Sequence, residues 1–381
     1  MKIRCTCCQS NIEKTVIYCK KNCPVINNVV YKTKEEALNC VVGDIELVLC
    51  SKCNFVFNYA YNKKLLDYNS NYNNIRSFSA AYNDYLGELI DFCSANIGKK
   101  TKILEIGCGE GEFLKRLCSK TGARGFGYDP AYRGENKCGE NVSFSKRYFN
   151  PAEAKEKFDV VVLRHVLEHI PEPYAFLKSI CDNEILLPDA RLWIEVPDFE
   201  WILNKGVFYD ITYEHCNYFF KQTLADFLSV SGFEVVSLKN VFDGQYILSE
   251  VIYKSDNATR KTAGPVSSVR NLTNNFDKTK KNYNNLIGNE ENVCVWGASG
   301  KGVIFLSELS DAKLRKIKYV IDINPQKQGR FLPVSGKKVE SCEVLRDTNG
   351  DLLVLVMNEM YEKEIRDTLD EMRLNVHLRT F

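Results

Sequence analysis

Three glycines and an aspartate carry the first chemistry that the sequence suggests. Gly107, Gly109 and Gly111 follow a short apolar run and precede apolar residues at helical spacing, a pattern that predicts a strand, a tight turn and a helix. Such a turn lets a ligand approach the backbone, and the helix N-terminus offers free N–H groups to an anion. Asp129 ends a second predicted strand, Arg124–Tyr128. An aspartate at that point can accept two hydrogen bonds from a ribose.

The residues around this turn favour S-adenosylmethionine (SAM) over a dinucleotide. A dinucleotide turn has the spacing GxGxxG, whereas this chain has Glu112 and Phe113 after the third glycine. Glu105, two residues before the first glycine, would sit badly beside a pyrophosphate. The turn resembles the SAM site of class I methyltransferases, and we take Glu105, the three glycines, Asp129 and Pro130 as cofactor-binding candidates. A Rossmann-like turn without a ligand is the alternative.

Composition and charge limit the classes of partner. The chain has 381 residues, of which 45% are apolar and 26% charged, and its net charge is +2, so a nucleic-acid-binding surface is not expected. The sequence contains no apolar run near the ~18 residues of a membrane span and starts without the apolar core of a signal peptide. We therefore expect a cytoplasmic protein of two or three domains that binds a small molecule. The oligomeric state does not follow from the sequence.

Eight of the sixteen cysteines lie in the first 53 residues, and in the cytoplasm they are more often thiols or metal ligands than disulfides. Cys5-x-x-Cys8 and Cys50-x-x-Cys53 are two knuckles, each of which aims two thiolates at one point. Together they predict a tetrahedral, structural zinc site; unligated thiols are the alternative. Four further cysteines could compete for the metal: Cys7, Cys19, Cys23 and Cys40.

The segment from Phe57 to Tyr85 is rich in Asn and Tyr and shows no clear periodicity before Ser79. Tyrosines in an irregular segment beside a cofactor pocket often cover that pocket. We therefore predict that Tyr72 contacts the cofactor and Tyr68 the substrate, with a surface loop as the alternative. A helix is predicted from Ser79 to Asn96.

Two histidines follow the strongly apolar strand predicted at Phe158–Leu163. Residues that come directly after such strands face the ligand crevice of a parallel sheet. We expect His165 near the cofactor and His169 near the acceptor. A metal site built on this H-x-x-x-H pair is the alternative, although no third ligand is evident.

A third histidine, His215, is flanked by Glu214, Tyr213 and Tyr218. A neighbouring carboxylate raises the basicity of an imidazole, which suits a general base near neutral pH. We take Tyr218 as a substrate-binding candidate. A structural histidine in an aromatic cluster is the alternative.

A second strand, glycine turn and helix begin at Val293, in VCVWGASGKG, and the next strand ends at Asp322. The turn lacks the spacing of a P-loop. We take Lys301, Asp322 and Lys327 as substrate-binding candidates. An NAD-dependent oxidoreductase centred on this turn is an alternative, but neither a Tyr-x-x-x-Lys pair nor a cysteine nucleophile is evident beside it.

The predicted architecture is α/β, with a class I SAM methyltransferase core between a small zinc domain and a second Rossmann-like domain. Further strands are predicted at 142–148, 191–196, 235–241, 246–253, 317–321 and 352–356. The predicted parts are a zinc-binding and Tyr-rich region at 1–75, a SAM-dependent methyltransferase domain at 76–255, a connecting helix at 256–288 and a C-terminal substrate-binding domain at 289–381.

In this order, the motifs resemble the SAM-dependent C-methyltransferases that act on nucleotide-linked deoxysugars, and the resemblance covers nearly the whole chain. The motifs are CSKC at 50–53, EIGCGEGEF at 105–113, HVLEHIPEP at 165–173, YEHCNYF at 213–219, and GASGKG with IDINPQKQGRF at 321–331. Asn54 stands where that family has glycine, and the stretch at 24–44 also differs, which points to a sister subgroup.

The resemblance implies a reaction that the residues alone do not. A base would remove the proton beside the ketone of a 4-keto nucleotide sugar, and the enolate would attack the SAM methyl group. A His-Glu-His cluster of that family falls on Tyr213-Glu214-His215, so His215 is the implied base, and Glu214, Tyr213 and His169 are the other catalytic candidates. Tyr213 departs from the pattern and motivates an alternative, O- or N-methylation of a sugar or related small molecule.

Overall fold

The computed structural model of the chain describes residues 1–68, 72–254, 273–348 and 351–380. Within these ranges the strands form four sheets, of two, four, eight and five strands. Helices in the same ranges are too short or too polar to cross a membrane. The predicted connecting helix at 256–288 lies partly outside the described residues, and the helix found there is Asn274–Asn289.

The N-terminal region consists of two small antiparallel sheets. Its elements are β1 (Lys2–Arg4), β2 (Asn11–Glu13), β3 (Val16–Pro24), α1 (Lys34–Leu38), β4 (Val42–Leu49) and β5 (Val56–Asn58). β1 pairs with β2, while β3, β4 and β5 pair in sequence order. The turn between β1 and β2 carries one cysteine knuckle, and the turn between β4 and β5 carries the other.

The middle of the chain forms an eight-stranded sheet with helices on both faces. Its elements are α2 (Ala80–Ser94), β6 (Lys102–Ile106), α3 (Glu112–Thr121), β7 (Arg124–Tyr128), β8 (Lys137–Cys138), β9 (Val142–Ser145), β10 (Phe158–Arg164), α4 (Pro173–Asp182), β11 (Leu186–Pro197), α5 (Phe199–Lys205), β12 (Asn217–Tyr218), α6 (Lys221–Val230), β13 (Phe233–Val241) and β14 (Tyr246–Tyr253). All but β12 of these strands belong to the sheet, in the order β13-β14-β11-β10-β6-β7-β9-β8. Within the described sheet, β14 is antiparallel to both of its neighbours, β11 and β13, and the short edge strand β8 is antiparallel to β9. The other neighbouring pairs are parallel. This is the class I SAM methyltransferase fold that the sequence predicts.

The apolar runs of the central strands explain why they lie inside the sheet. Successive side chains of a strand point to opposite faces, and here both faces are covered. Ile103 and Val162 pack in the core beneath α2 and α3, whereas Leu104 and Val161 pack in the core beneath α4 and α6. The predicted third strand is shorter than expected and ends at Ser145, because the chain turns there and the Arg147 N–H donates back to the Ser145 carbonyl.

The C-terminal sheet is a second Rossmann-like unit. Its elements are α7 (Asn274–Asn289), β15 (Val293–Trp296), α8 (Gly300–Ser307), α9 (Asp311–Lys316), β16 (Ile317–Ile321), β17 (Val339–Glu340), β18 (Leu352–Val356), α10 (Glu362–Glu371) and β19 (Val376–Arg379). The strand order is β17-β16-β15-β18-β19, and all neighbouring pairs are parallel. In both large sheets the order reverses beside the first strand, and the carboxyl ends of strands at such a point border a ligand crevice.

One strand of the middle region joins the N-terminal region instead of the central sheet. β12 pairs with β5, so that Asn217 lies opposite Phe57 and Tyr218 opposite Val56. The N–H of Asn58 also donates to the carbonyl of Cys216 over 2.9 Å. The N-terminal sheet is therefore attached directly to the segment that contains Glu214 and His215.

Gly302 allows α8 to pack against the second glycine turn, and this contact gives a stability prediction. A Cβ atom at Gly302 would lie 1.8 Å from the carbonyl oxygen of Gly297, so the backbone must move in Gly302→Ala. We expect a loss of about 2 kcal/mol or more, measured as a lower midpoint of thermal unfolding. Gly300→Ala is the matched control, because nothing lies within 4 Å of its added Cβ. Equal midpoints for the two variants would contradict the prediction.

Candidate active site

A cavity of about 250 Å³ lies where the N-terminal region, the central sheet and the C-terminal sheet meet. Its walls include residues 27–28, 72, 74–76, 165, 168–169, 210, 212, 214–215, 296–297, 299–302, 322–324 and 357–358. The carboxyl edges of both large sheets therefore border the same space. Seven of the predicted site residues line it: Tyr72, His165, His169, Glu214, His215, Lys301 and Asp322.

The first glycine turn is held closed by Asp129. The carboxylate accepts hydrogen bonds from the backbone N–H of Gly109 (2.9 Å) and of Ala131 (2.7 Å), and Pro130 stands half-buried between them. Burial raises the pKa of Asp129, and the two N–H groups oppose that effect. Gly111 ends the turn as the residue that precedes α3. The turn does not line the cavity itself but lies beside it.

Gly107 connects this turn to the cavity. Its φ is +72°, and a Cβ there would lie 2.4 Å from Cγ2 of Val166, so glycine lets the segment after β10 approach the turn. His165, the preceding residue, has the left-handed φ of 53°. Its Nε2 lies 2.8 Å from Oε1 of Glu195, and its ring contacts Tyr246 with centroids 4.5 Å apart. His165 is thereby fixed between the turn and the cavity.

Glu105 lies buried in β6, beneath the turn and outside the cavity lining. One of its carboxyl oxygens has no hydrogen-bond partner. Burial raises the pKa of Glu105 to about 8, although the positive charge of Arg164 lowers it. The side chain is therefore largely uncharged at neutral pH.

Two histidines of the cavity wall, His169 and His215, lie together with the glutamates Glu168 and Glu214. The rings of His169 and His215 meet edge to face, with centroids 4.8 Å apart. Nδ1 of His169 lies 2.9 Å from the carbonyl oxygen of Glu214 and 3.2 Å from the hydroxyl of Tyr68. The carboxylate of Glu214 accepts a hydrogen bond of 2.8 Å from the N–H of Asn27. Because a carbonyl oxygen only accepts, Nδ1 of His169 carries the proton.

Burial sets the protonation states of these groups. It lowers the pKa of His169 and of His215 to about 4 each, and it raises the pKa of Glu214 to about 7. The expectation that Glu214 makes His215 more basic is therefore wrong: burial outweighs it, and the carboxylate that raises the pKa of His215 is that of Asp210. At neutral pH both imidazoles are uncharged, and Nδ1 of His215 has no hydrogen-bond partner.

Two predicted site tyrosines are buried away from the cavity. The hydroxyl of Tyr213 accepts a hydrogen bond of 2.8 Å from the N–H of Asn62, and its ring stacks on Tyr61 with centroids 5.5 Å apart. The hydroxyl of Tyr218 donates to the carbonyl of Thr212 over 3.1 Å. Both side chains brace the segment around His215 and do not reach the cavity surface.

The second glycine turn, like the first, is held closed by an aspartate. Asp322 accepts hydrogen bonds from the N–H of Ala298 and of Asn324, each 2.9 Å long. Nζ of Lys327 lies 3.5 Å from the same carboxylate and donates to Ser299 in the turn. Lys327 is thus buried behind the cavity wall, where it neutralises Asp322.

Lys301 lines the cavity between the two large sheets. Its Nζ lies 3.3 Å from Oδ2 of Asp210 and donates to Oε1 of Gln245 over 3.0 Å. The ammonium group also lies 5.0 Å from the ring centroid of Trp201. The C-terminal unit and the segment between α5 and β12 are therefore joined by an ion pair at the cavity.

The four predicted metal ligands come together in the N-terminal region. Sγ of Cys5 lies 3.8 Å from Sγ of Cys53, Sγ of Cys8 lies 3.7 Å from Sγ of Cys50, and all four atoms lie within 4.8 Å of one another. Tetrahedral Zn–S bonds of ~2.3 Å require sulfur atoms about 3.8 Å apart, so the cluster fits zinc. The surplus cysteines are not part of it: Cys7, Cys19, Cys23 and Cys40.

Several residues of the cavity wall are absent from the sequence-based prediction: Asn27, Arg76, Glu168 and Asp210. Glu168 stands inside the HVLEH motif, and Arg76 is the only arginine in the Tyr-rich segment, so both carried a usable signal. Asn27 and Asp210 belong to no motif. Only the fold brings them to the cavity.

Two family models match the chain. A methyltransferase domain covers residues 78–238, and a C-methyltransferase C-terminal domain covers residues 257–376. The protein is a SAM-dependent methyltransferase. This methyltransferase is 23% identical to the C-methyltransferase NovU of Streptomyces niveus in an alignment of 331 residues, and the match covers 79% of this chain and 77% of the relative.

Solved methyltransferases resemble this methyltransferase only distantly. The 1,6-didemethyltoxoflavin-N1-methyltransferase of Burkholderia thailandensis is 19% identical and has a TM-score of 0.35, with 46% of this chain and 79% of that chain covered. The magnesium protoporphyrin IX methyltransferase of Synechocystis is 17% identical, also with a TM-score of 0.35, and the match covers 46% of this chain and 84% of that chain. The two family models leave the oxidoreductase alternative without support.

The low pKa values of His169 and His215 can be tested by nuclear magnetic resonance. The protein has only four histidines, so ¹⁵N-histidine labelling gives few signals, which His169→Gln and His215→Gln assign. We expect both rings to stay neutral at pH 6 and to gain protons near pH 4, because burial disfavours the charged form.

The lowered pKa values of the two histidines also determine whether the stability of the protein rises or falls with pH. The unfolded chain protonates these rings near pH 6.5 and the folded chain only near pH 4, so falling pH favours the unfolded state over that range. Each histidine therefore contributes stability above pH 6.5 that is lost as the pH falls towards 4. Titration of either ring at or above pH 6.5 would contradict the prediction.

Proposed function

We propose that the enzyme transfers the methyl group of SAM to a carbon atom of a nucleotide-linked keto-deoxysugar. The observation that carries the proposal is the group of two neutral histidines and one glutamate of pKa about 7 in a cavity bordered by both Rossmann-like units. The C-methyltransferase C-terminal domain and the name of the relative support the choice of carbon as the acceptor atom.

The first glycine turn is the proposed SAM site. Nothing lies within 4 Å of a Cβ placed on Gly109, which leaves space for a ligand against the backbone. The residues that would hold the cofactor are Glu105, Gly107, Gly109, Gly111, Asp129, Pro130, His165 and Tyr72. When bound, SAM supplies an electrophilic methyl group. A carboxylate has about four acceptor positions, so Asp129 can bind a ribose and still hold the turn closed.

His215 is the proposed base. Because its imidazole is neutral and lines the cavity, the ring can accept the proton from the carbon beside the ketone. The C–H bond breaks, an N–H bond forms, and the electron pair passes into the enolate. The enolate is an anion, and an anion in the cavity raises the pKa of the imidazole above its present low value. His169 holds the ring in position by edge-to-face contact, and Glu214 would act through His169, whose Nδ1 donates to its carbonyl oxygen.

The second glycine turn is the proposed site for the nucleotide. Its helix, α8, begins at Gly300 beside Lys301, and a helix N-terminus with a cation nearby suits a phosphate. Asp322 would bind a hydroxyl group, Lys327 would keep Asp322 paired, and Tyr68 would contact the sugar beside His169. Tyr218, braced on Thr212, would act on the substrate only by holding His215. Tyr213, which motivated O- or N-methylation, lies outside the cavity, so no observation favours that alternative.

Proton exchange tests this mechanism without the cofactor. Incubated in D₂O with a nucleoside-diphosphate 4-keto-deoxysugar, the wild-type enzyme is expected to exchange the proton beside the ketone. His215→Gln should slow this exchange about 100-fold, the usual effect of losing a general base. His377→Gln, an exposed histidine on β19, is the matched control. With SAM added, ¹³C resonances of the product should show a C-methyl group.

Two results would refute the proposal. One is an O-methyl or N-methyl product. The other is wild-type exchange in His215→Gln, which would remove His215 as the base.

We also propose that Cys5, Cys8, Cys50 and Cys53 bind one structural zinc ion. Four thiolates leave no open position for water, so the metal would fold the region without entering the reaction. The proposal is supported by the distances between the sulfur atoms, which match tetrahedral coordination of one zinc ion.

Metal analysis with a matched cysteine control tests the zinc site. Cys50→Ser should reduce zinc from about one ion per chain to a small fraction and lower the thermal midpoint, because binding energy at such a site is folding energy. Cys19→Ser, an exposed cysteine outside the cluster, should change neither quantity. Equal zinc content in both variants would exclude the assignment.

A further inference from the structure

Arg76 differs from the other basic side chains at the cavity. Lys301 is paired with Asp210, and Lys327 behind the wall is paired with Asp322. Arg76 lines the cavity as well, but no described carboxylate forms an ion pair with it. Among the described residues, it is the one lysine or arginine of the cavity wall that has no carboxylate at ion-pair distance.

The contacts of Arg76 use little of its hydrogen-bonding capacity. One terminal nitrogen donates to the hydroxyl of Tyr246 over 3.2 Å and lies 3.5 Å from Nε2 of His165. That imidazole nitrogen is closer, at 2.8 Å, to the carboxylate of Glu195, so it is a poor acceptor for Arg76. Nε of Arg76 also donates to Oδ1 of Asn74, over 3.5 Å. A guanidinium carries five N–H donors, and the two on the second terminal nitrogen of Arg76 form no hydrogen bond with a described residue, so they remain free for a ligand.

The surroundings of Arg76 place its charge on the acceptor side of the cavity. Burial chiefly lowers the pKa of His215 and of Lys327, and the positive charge of Arg76 lowers both further. The segment that carries Arg76 is also held by the C-terminal unit: the side-chain amide of Asn73 donates to Oε1 of Gln326 over 2.8 Å, and that of Asn324 donates to Oδ1 of Asn73 over 3.1 Å. These contacts hold the segment of Arg76 against the C-terminal turn.

We infer that Arg76 binds the diphosphate of the acceptor. A half-buried guanidinium without a carboxylate is costly, and a phosphate group offsets that cost with two parallel N–H···O bonds. The inference rests on the proposed function to the extent that the acceptor is nucleotide-linked. It adds a residue from the Tyr-rich segment to the acceptor site, which otherwise consists of the C-terminal turn and the histidine cluster.

Calorimetric titration of the full-length, zinc-loaded protein with inorganic pyrophosphate tests the inference. Arg76→Gln should weaken pyrophosphate binding at least tenfold. The affinity of Arg76→Lys should lie between those of Arg76→Gln and the wild type, because lysine keeps the positive charge but lacks the two parallel N–H donors of a guanidinium. Arg315→Gln, an exposed arginine on α9, is the matched control and should bind as the wild type does. The affinity for S-adenosylhomocysteine and the thermal midpoint should stay within error in all variants, which shows that they are folded.

Three outcomes would overturn the inference. They are equal pyrophosphate affinity in wild type and Arg76→Gln, no pyrophosphate binding by the wild type, and loss of S-adenosylhomocysteine affinity in Arg76→Gln with pyrophosphate binding unchanged. The last would mean that Arg76 binds the carboxylate of the cofactor. The proposed function fails separately: Arg76-dependent pyrophosphate binding without proton exchange or a C-methyl product would refute the keto-sugar reaction and leave Arg76 as an anion-binding residue.

Discussion

The pairing of β12 with β5 is the constraint on which the geometry of the cavity depends. Glu214 and His215 come directly before β12, so the two backbone pairs between Asn217–Tyr218 and Val56–Asn58 fix where these side chains lie. The N–H of Asn27 then holds the carboxylate of Glu214. β5 starts three residues after Cys53, so the cysteine cluster lies next to the strand that positions the histidine. The N-terminal region, which also contributes Asn27 and Asn28, is thus a wall of the cavity.

Closing the cavity in this way determines its chemistry through burial. Removing water disfavours every charged form, which lowers the pKa of His169 and of His215 and raises the pKa of Glu214. It also leaves polar atoms without hydrogen-bond partners, among them Oε2 of Glu168 and Nδ1 of His215, while Oε1 of Glu168 lies 3.5 Å from Nδ1 of His165. Such unsatisfied groups reduce stability, and natural proteins retain them where function requires them.

The sequence predicted the features that arise from short-range patterns. Apolar runs and glycine turns located both Rossmann-like units, and the strand at Arg124–Tyr128 has the predicted bounds. CxxC spacing located the cysteine cluster, since each knuckle is a local turn. The pairing of β12 with β5 was missed because it joins residues far apart in the chain. The pKa of His215 was misjudged for the same reason: burial is a property of the assembled fold, whereas the adjacent Glu214 is visible in the sequence.

The two glycine turns are closed in the same way but differ in their electrostatic surroundings. Asp129 and Asp322 each accept one backbone N–H with each carboxyl oxygen, over 2.7 to 2.9 Å, so the first task of each aspartate is to close its turn. They differ in charge. Asp322 has Lys327 at 3.5 Å, whereas no ion pair is formed by Asp129 with any described residue. The second turn is therefore closer to neutral and accepts an anionic ligand at a smaller electrostatic cost, while the first keeps a negative charge that suits the cationic sulfonium of SAM. This difference agrees with the proposal that SAM binds at the first turn and a phosphate-bearing acceptor at the second.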